Sequence, residues 1–187
     1  LQERADQLVG LQLFTRSLPI SGSVNDLLRS TTVGIADLLG GVEVFLIIAR
    51  RHLLGNPDCE HLPQFMGAQW RDLCVIGSRP QSGPDVLPTS LYRLVMWTIE
   101  AGQPLFFNPQ QEIGAPEDLY YNEAGRALLV PVSSGEDSLG AIFAITRERP
   151  RHFDENDMVV ARTMANIAAA VIKLNLALNQ VPEAPAL

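Results

Sequence analysis

The fold is decided by residues 128–145, which read LLVPVSSGEDSLGAIFAI. Two apolar runs, 128–132 and 139–145, flank a segment of Ser, Gly, Glu and Asp. Runs of this length around such a segment are typical of a β-hairpin. Pro131 has no backbone N–H to give to a neighbouring strand, so we expect one side of the first strand to be an edge or a bulge there. Gly140 in the second strand permits a kink or the close approach of another backbone.

A long helix is predicted after the hairpin, and Asp154 and Asp157 at its start favour the positive end of the helix dipole. Its apolar residues alternate spacings of four and three, which is the pattern of a coiled-coil seam. Ala161, Ala165 and Ala168 give it a second apolar face, and a helix that is apolar on two faces must bury both. We expect the sheet to cover one face, and the N-terminal helix, a second subunit or both to cover the other. The predicted dimer-interface residues are Val160, Met164, Ile167, Val171, Leu174 and Leu178.

The chain before the hairpin predicts an alternation of helices and strands. The expected elements are an N-terminal signalling helix within residues 1–22, a helix at 24–38, strands at 42–48 and 70–76, a helix at 88–101, a short strand at 105–107 and one helical turn near 116–121. Residues 179–187 read as a linker tail. This order of elements indicates an α+β fold around an antiparallel sheet.

Four stretches, in this order, resemble the GAF domain, a sensory and ligand-binding module of many signalling proteins. They are LL at 27–28 with IADLL at 35–39, EAGQPL at 100–105, LLVPV at 128–132 with LGAI at 139–142, and FDEND at 153–157. The resemblance covers residues 23–178. It implies a PAS-related sheet with the terminal helices on one face and a ligand pocket on the other, roofed by the loops and helices between the second and fourth strands.

Aromatic and polar residues cluster in the segment that the family uses for its pocket. The cluster comprises Trp97, Phe106, Phe107, Tyr120 and Tyr121 with Asn108, Glu112 and Arg126. Aromatic walls with a few polar groups are usual in small-molecule sites. We predict as ligand-binding residues Trp97, Phe107, Asn108, Tyr120, Tyr121 and Arg126. The alternative is that these aromatic residues fill the core and the polar ones lie on a solvated loop.

The cysteines and histidines give weaker signals for a metal or cofactor. Cys59-Glu60-His61 supplies fewer ligands than the four that structural zinc needs. Cys74 lies in an apolar strand and reads as a small hydrophobic residue, with thiol redox chemistry of the free methionine sulfoxide reductase kind as the alternative. The covalent attachment of bilin-binding GAF domains uses a later cysteine, which this chain lacks after Cys74. A haem ligand would have to be His61 or His152. We predict no metal site, and the sequence leaves the cofactor unknown.

Two further patterns give weak signals for a binding site. FDE at 153–155 matches only the end of the cyclic-nucleotide-binding signature of the family. Arg147, Arg149 and Arg151 alternate, so an extended chain would place them on one side. They would form an anion site or, as we prefer, a solvated strand end balanced by Glu148.

Composition narrows the function. A net charge of −7 argues against a nucleic-acid binder held by phosphate contacts, and no apolar run approaches the roughly 20 residues of a membrane span. We predict a cytoplasmic, non-enzymatic regulatory domain of a larger signalling protein. It would bind a small molecule and relay the signal to an output domain through a homodimer of its terminal helices. The alternatives are a dimerisation scaffold without a ligand and a thiol-based reductase.

Overall fold

A computed structural model describes five stretches of the chain: residues 24–53, 72–79, 91–107, 126–146 and 151–179. The helices and strands are, in chain order, α1 (Val24–Leu38), β1 (Glu43–Ala49), a 3-10 turn (Arg50–His52), β2 (Leu73–Gly77), α2 (Leu91–Ala101), β3 (Leu105–Phe107), β4 (Ala127–Ser134), β5 (Asp137–Ile145) and α3 (Glu155–Asn179). The strands form one antiparallel sheet in the order β2-β1-β5-β4-β3. The predicted α+β class is confirmed.

The predicted hairpin is β4 and β5, and it occupies the middle of the sheet. Its register pairs Val130 with Ile142, and an irregularity falls between Val132 and Ser133. Strand β3 pairs with β4 only as far as Leu129, so among the described strands Pro131 has a neighbour on the β5 side alone. The edge expected at this proline is confirmed.

Gly140 is required because β1 passes very close to it. A Cβ atom on this residue would lie 2.0 Å from the backbone oxygen of Ile47 and 2.9 Å from the Cα of Ile48. Both contacts are to the backbone of β1, which pairs directly with β5 at this point. The close approach predicted from the sequence is confirmed, and any larger residue here would have to push two central strands apart.

The sheet separates two hydrophobic clusters, because successive side chains of a strand point to opposite faces. The α2 cluster comprises Phe45, Ile47, Leu73, Val75, Leu91, Leu94, Val95, Ile99, Leu105, Phe107, Ala127, Leu129, Ala141 and Phe143. The α3 cluster comprises the buried apolar residues of α1 and α3 together with Val42, Val44, Leu46, Ile48, Leu53, Cys74, Ile76, Leu128, Val130, Val132, Leu139, Ile142, Ala144 and Phe153. Helix α2 therefore covers one face, and the pair α1 and α3 covers the other.

Helix α3 buries the face that carries Ala161, Ala165 and Ala168, together with the first part of its predicted seam. It contacts β4 and β5 on one side and α1 on the other. Leu28 and Ile35 of α1, and Leu39 just after its end, are fully buried in the α3 cluster. Helix α1 ends at Leu38, and Gly40, two residues later, has a φ of +82°, a left-handed conformation that glycine adopts without strain.

Most predicted boundaries agree with the structure within a few residues. Strand β2 begins at Leu73 instead of residue 70, because Asp72 lies in a turn and its carbonyl accepts a hydrogen bond from the backbone N–H of Arg50. The predicted N-terminal helix, the turn near 116–121 and the tail after residue 179 lie outside the described residues. None of the helices in the described stretches is both long and apolar enough to span a membrane.

Candidate functional site

Three phenylalanine rings form the floor of the sheet face beneath α2. Phe45 of β1 stacks on Phe143 of β5 with a centroid distance of 5.8 Å, and Phe107 of β3 stacks on Phe143 at 6.0 Å. Strand β4 lies between β5 and β3, and it places the small Ala127 opposite Phe107. The methyl group of Ala127 leaves space for the Phe107 ring to reach across β4. Offset aromatic pairs of this kind stabilise an apolar surface beyond the area they bury.

Helix α2 packs on this floor through one stripe. Its buried residues are Leu91, Leu94, Val95, Thr98 and Ile99, which recur at helical spacing. Tyr92, Met96 and Trp97 are half-buried at the margins of the stripe. The last turn of α2 is joined to the start of β5 by a hydrogen bond of 2.8 Å, which the Ser138 hydroxyl donates to the Ile99 carbonyl.

Three of the predicted ligand-binding residues are described. Trp97 is half-buried against the α2 cluster, and Phe107 is 4% exposed and belongs to the floor itself. Arg126 is exposed and directly precedes Ala127, the residue that pairs with Phe107. The structure therefore brings Trp97 and Phe107 to one face of the sheet, with Arg126 at the end of the β3–β4 pair. Asn108, Tyr120 and Tyr121 lie outside the described residues, as does Glu112.

The structure separates one residue of the predicted aromatic cluster from the others, and it buries a carboxylate that the sequence pattern did not reveal. Phe106 packs against the α3 cluster, on the opposite side of the sheet from Phe107. The alternation of side chains along a strand was sufficient to separate these neighbours. The missed residue is Glu43, which is 7% exposed and shares the parity of Phe45 on β1. A carboxylate within an otherwise apolar strand was the signal for it.

The thiol of Cys74 is poorly placed for nucleophilic chemistry. Cys74 is 2% exposed and belongs to the α3 cluster. Burial raises the pKa of the thiol, although the nearby Arg50 acts in the opposite direction. The reactive form of cysteine is the thiolate, so a buried thiol with a raised pKa is a weak nucleophile. These observations disfavour the thiol-based alternative at Cys74, and Cys59 lies outside the described residues.

Within the described stretches, no group of three or more His, Cys, Asp or Glu side chains is arranged to hold a metal ion. The predicted metal candidates Cys59 and His61 fall outside those stretches, whereas His152 is exposed. His52 is placed near the hairpin, with its Nε2 atom 3.2 Å from the Ser138 carbonyl oxygen and 3.1 Å from the Arg51 Nε. Burial and then the charge of Arg51 lower the pKa of His52, so the neutral ring is favoured.

Arg151 joins the two terminal helices, which is a role that the sequence did not reveal. Its guanidinium donates to the carbonyl oxygen of Leu39 at the end of α1 and forms an ion pair with Asp157 in the first turn of α3. A Cβ atom on Gly40 would lie 2.5 Å from the Arg151 Nη1, so the glycine leaves space for this side chain. Among the described residues, the partners of the Arg151 guanidinium are thus Leu39 and Asp157, and Glu148 lies outside the described residues. Arg147 and Arg149 lie outside the described residues.

The start of α3 is fixed by a reciprocal cap. The Asp154 carboxylate accepts hydrogen bonds from the N–H groups of Asn156 and Asp157, at 2.9 and 3.0 Å. The Asp157 carboxylate accepts one from the N–H of Asp154 at 3.0 Å, which completes an acidic capping box. Burial raises the pKa of Asp157, whereas the Asp154 amide and the Arg151 guanidinium favour its charged form. The predicted acidic helix start is thus confirmed in detail.

The residues predicted for a dimer interface divide into two groups along α3. Val160 and Met164 are 2% and 0% exposed, and the chain's own core already covers them. Ile167 and Val171 are half-buried, and Leu174 is 57% exposed. The side chain of Leu178 is outside the described set. Any surface that this seam offers to a partner is therefore in its C-terminal half.

Comparison with known proteins identifies this arrangement. Among solved structures, the GAF domain from an Acinetobacter phosphoenolpyruvate-protein phosphotransferase has a TM-score of 0.60 and 19% identity, and covers 94% of this chain and 98% of its own. The corresponding GAF domain from Coxiella burnetii has a TM-score of 0.57 and 15% identity, with coverages of 94% and 97%. JSC1_58120g3, in its far-red absorbing dark state with bound biliverdin IXa, has a TM-score of 0.57 and 15% identity, with coverages of 89% and 99%.

At these identities, the structural matches show the fold alone. Comparison with curated protein sequences gave no match. The family model described as GAF domain matches residues 22–173, which is most of the chain. GAF domains are sensory and regulatory modules of signalling proteins. The chain belongs to the GAF domain family.

Proposed function

We propose that this chain is the sensor domain of a larger signalling protein, and that a small molecule bound on the α2 face of the sheet changes the arrangement of the terminal helices. The proposal is supported above all by the fact that one layer of backbone separates the two clusters. Ile47 of β1 belongs to the α2 cluster, and its neighbours Leu46 and Ile48 belong to the α3 cluster. A displacement of the floor therefore acts directly on the strands beneath α3.

The two terminal helices are connected where they meet the sheet. Arg151 links the end of α1 to the first turn of α3, so the two helices run antiparallel from this joint. The beginning of α1 and the end of α3 therefore lie toward the same end of the domain. A change in the joint would reach both connections of the domain to the rest of a longer protein. The ligand would shift this equilibrium only by its difference in affinity for the two arrangements.

We further propose that α3 pairs with a second copy through the exposed C-terminal half of its seam. Ile167, Val171 and Leu174 provide the apolar surface for it. We expect Ile167→Glu with Val171→Glu to sediment as a monomer and the wild type as a dimer. Asn166→Glu is the matched control, because Asn166 is exposed one residue earlier on α3 and points about 100° away. A wild type that sediments as a monomer at high concentration would exclude this interface.

Sensing is tested by native mass spectrometry of the protein as purified from its source cells. A bound mass that disappears on denaturation supports a ligand. The competing function is a dimerisation scaffold without a ligand, and the close packing of the α2 cluster favours it, since Phe45 and Phe143 are 0% and 1% exposed. The scaffold predicts that no extra mass is found and that dimerisation does not change with the metabolite extract added.

A further inference from the structure

Thr98 carries a buried hydroxyl group without a partner. The residue is 0% exposed, and its Oγ1 atom makes no hydrogen bond to any residue in the described stretches. Thr98 lies on the buried stripe of α2, three residues after Val95 and four after Leu94, so it is directed at the sheet. Buried hydroxyls are almost always hydrogen-bonded in native proteins, and one left unpaired costs stability. An unpaired hydroxyl among apolar neighbours is therefore an unusual feature of α2.

The other helical threonines of the described stretches show what Thr98 does not do. Thr31, Thr32 and Thr163 each donate to the carbonyl oxygen four residues earlier, at 2.7–2.8 Å. This bond is available to a threonine in any regular helix. Thr98 also lies within a helix, and yet its hydroxyl is not used in this way. The hydroxyl is thus free to serve a group that is not part of the helix.

The surroundings of Thr98 define the chemistry of that group. The Ser138 bond to Ile99 places the last turn of α2 over the start of β5, where Ala141 is followed by Phe143 on this face. Glu43 lies at the other end, because its partner Ile145 is seven residues along β5 from Ser138, or about 23 Å. A charged group at Thr98 would therefore be buried far from that carboxylate and among hydrocarbon side chains, which is costly.

We propose that Thr98 is the hydrogen-bonding anchor for a small, uncharged aromatic ligand that inserts between α2 and the phenylalanine floor. The inference rests on the proposed ligand-binding function and adds to it the class of ligand and the residue that selects for its polar group. Without a ligand, the hydroxyl has no hydrogen-bond partner among the described residues. Insertion gives it a partner, so ligands with one hydroxyl or carbonyl group are favoured over equally large hydrocarbons.

Phenol and toluene are the probes, because they have nearly the same size and differ in the hydroxyl group. Binding at millimolar concentrations is measured by methyl NMR for the wild type, Thr98→Val and Thr98→Ser. We expect the ratio of phenol affinity to toluene affinity to fall about tenfold in Thr98→Val, as the loss of one hydrogen bond predicts, and to be retained in Thr98→Ser. Thr32→Val is the control, since Thr32 is a buried helical threonine on the other side of the sheet that is already bonded to Leu28.

The free energy of unfolding in urea is a second measurement, and it distinguishes a binding role of the Thr98 hydroxyl from a purely structural one. We expect Thr98→Val to be at least as stable as the wild type, because it removes an unpaired polar group without changing the shape. A clear loss of stability in Thr98→Val, an unchanged phenol-to-toluene ratio, or a wild type that binds neither probe would each overturn the inference. If the wild type carries a cellular ligand that Thr98→Val also retains, the anchor is wrong and the sensor function stands.

Discussion

The most specific energetic prediction concerns the contacts by which Arg151 joins α1 to α3. The substitution that tests it is Arg151→Met. The substitution keeps an apolar stem and removes the guanidinium, which leaves the Asp157 carboxylate, 4% exposed in its side chain, without its counter-charge. A hydrogen bond to a charged group contributes about 1.5–3 kcal/mol, and exposed ion pairs contribute about 0.2–1 kcal/mol. The Arg151 side chain is 41% exposed, so the contribution of its ion pair with Asp157 to stability should lie between these two ranges.

We therefore expect Arg151→Met to lower the free energy of unfolding by about 2 kcal/mol, with the hydrogen bond to Leu39 included. Asp157→Asn keeps an oxygen that can cap Asp154 and removes only the charge, so we expect a cost of about 1 kcal/mol. Because the two groups touch, their effects should not add, and the double variant should reveal a coupling energy of about 1 kcal/mol.

Urea unfolding followed by circular dichroism measures all four proteins of this cycle. Arg162→Met is the matched control, because Arg162 is exposed on the same helix, and we expect a change within about 0.5 kcal/mol. The reasoning is refuted if Arg151→Met behaves like Arg162→Met, or if the effects at Arg151 and Asp157 add without coupling.

Three further predictions test the packing and the ionisable groups. Gly140→Ala should cost about 3 kcal/mol or more in urea unfolding, because the new methyl group would meet the backbone oxygen of Ile47; a near-neutral change would show that the strands separate easily. In a Cys59→Ser background, Cys74 should react with iodoacetamide far more slowly at pH 8 than after unfolding, because burial raises its pKa; equal rates would restore the thiol-based alternative. The pKa of His52 is lowered in the folded state, so just below the ordinary histidine pKa of 6.5 the unfolded chain binds more protons than the folded one. Lowering the pH through 6.5 should therefore destabilise the wild type more than His52→Gln. Parallel curves of unfolding free energy against pH for the two proteins would contradict this.

Local sequence patterns predicted the helices and strands well, because the formation of these elements depends largely on residues that are close in the sequence. The β-hairpin, the proline at an edge and the acidic start of α3 all rest on short-range signals, and each of these predicted features is present. Contacts between distant residues were beyond these signals. The bond from Arg151 to Leu39 joins positions 112 residues apart, and no periodicity relates them. The placement of Phe106 shows the intermediate case, in which a short-range rule applied but an aromatic cluster was assigned by proximity in the sequence.

The length of the terminal helices explains why the seam on α3 has two environments. Helix α1 has 15 residues and α3 has 25, or about 22 and 37 Å. Since Arg151 fixes the end of α1 beside Asp157, an antiparallel α1 reaches about as far as residue 171 of α3. Val160 and Met164 fall well within this reach and are buried, Ile167 and Val171 lie toward its limit and are half-buried, and Leu174 lies beyond it and is 57% exposed. A heptad pattern predicts only that a side chain will be buried, so it cannot distinguish burial against α1 from burial against a second copy of the chain. The length of the helix packed against it decides where the chain's own cover ends and where a second copy can begin.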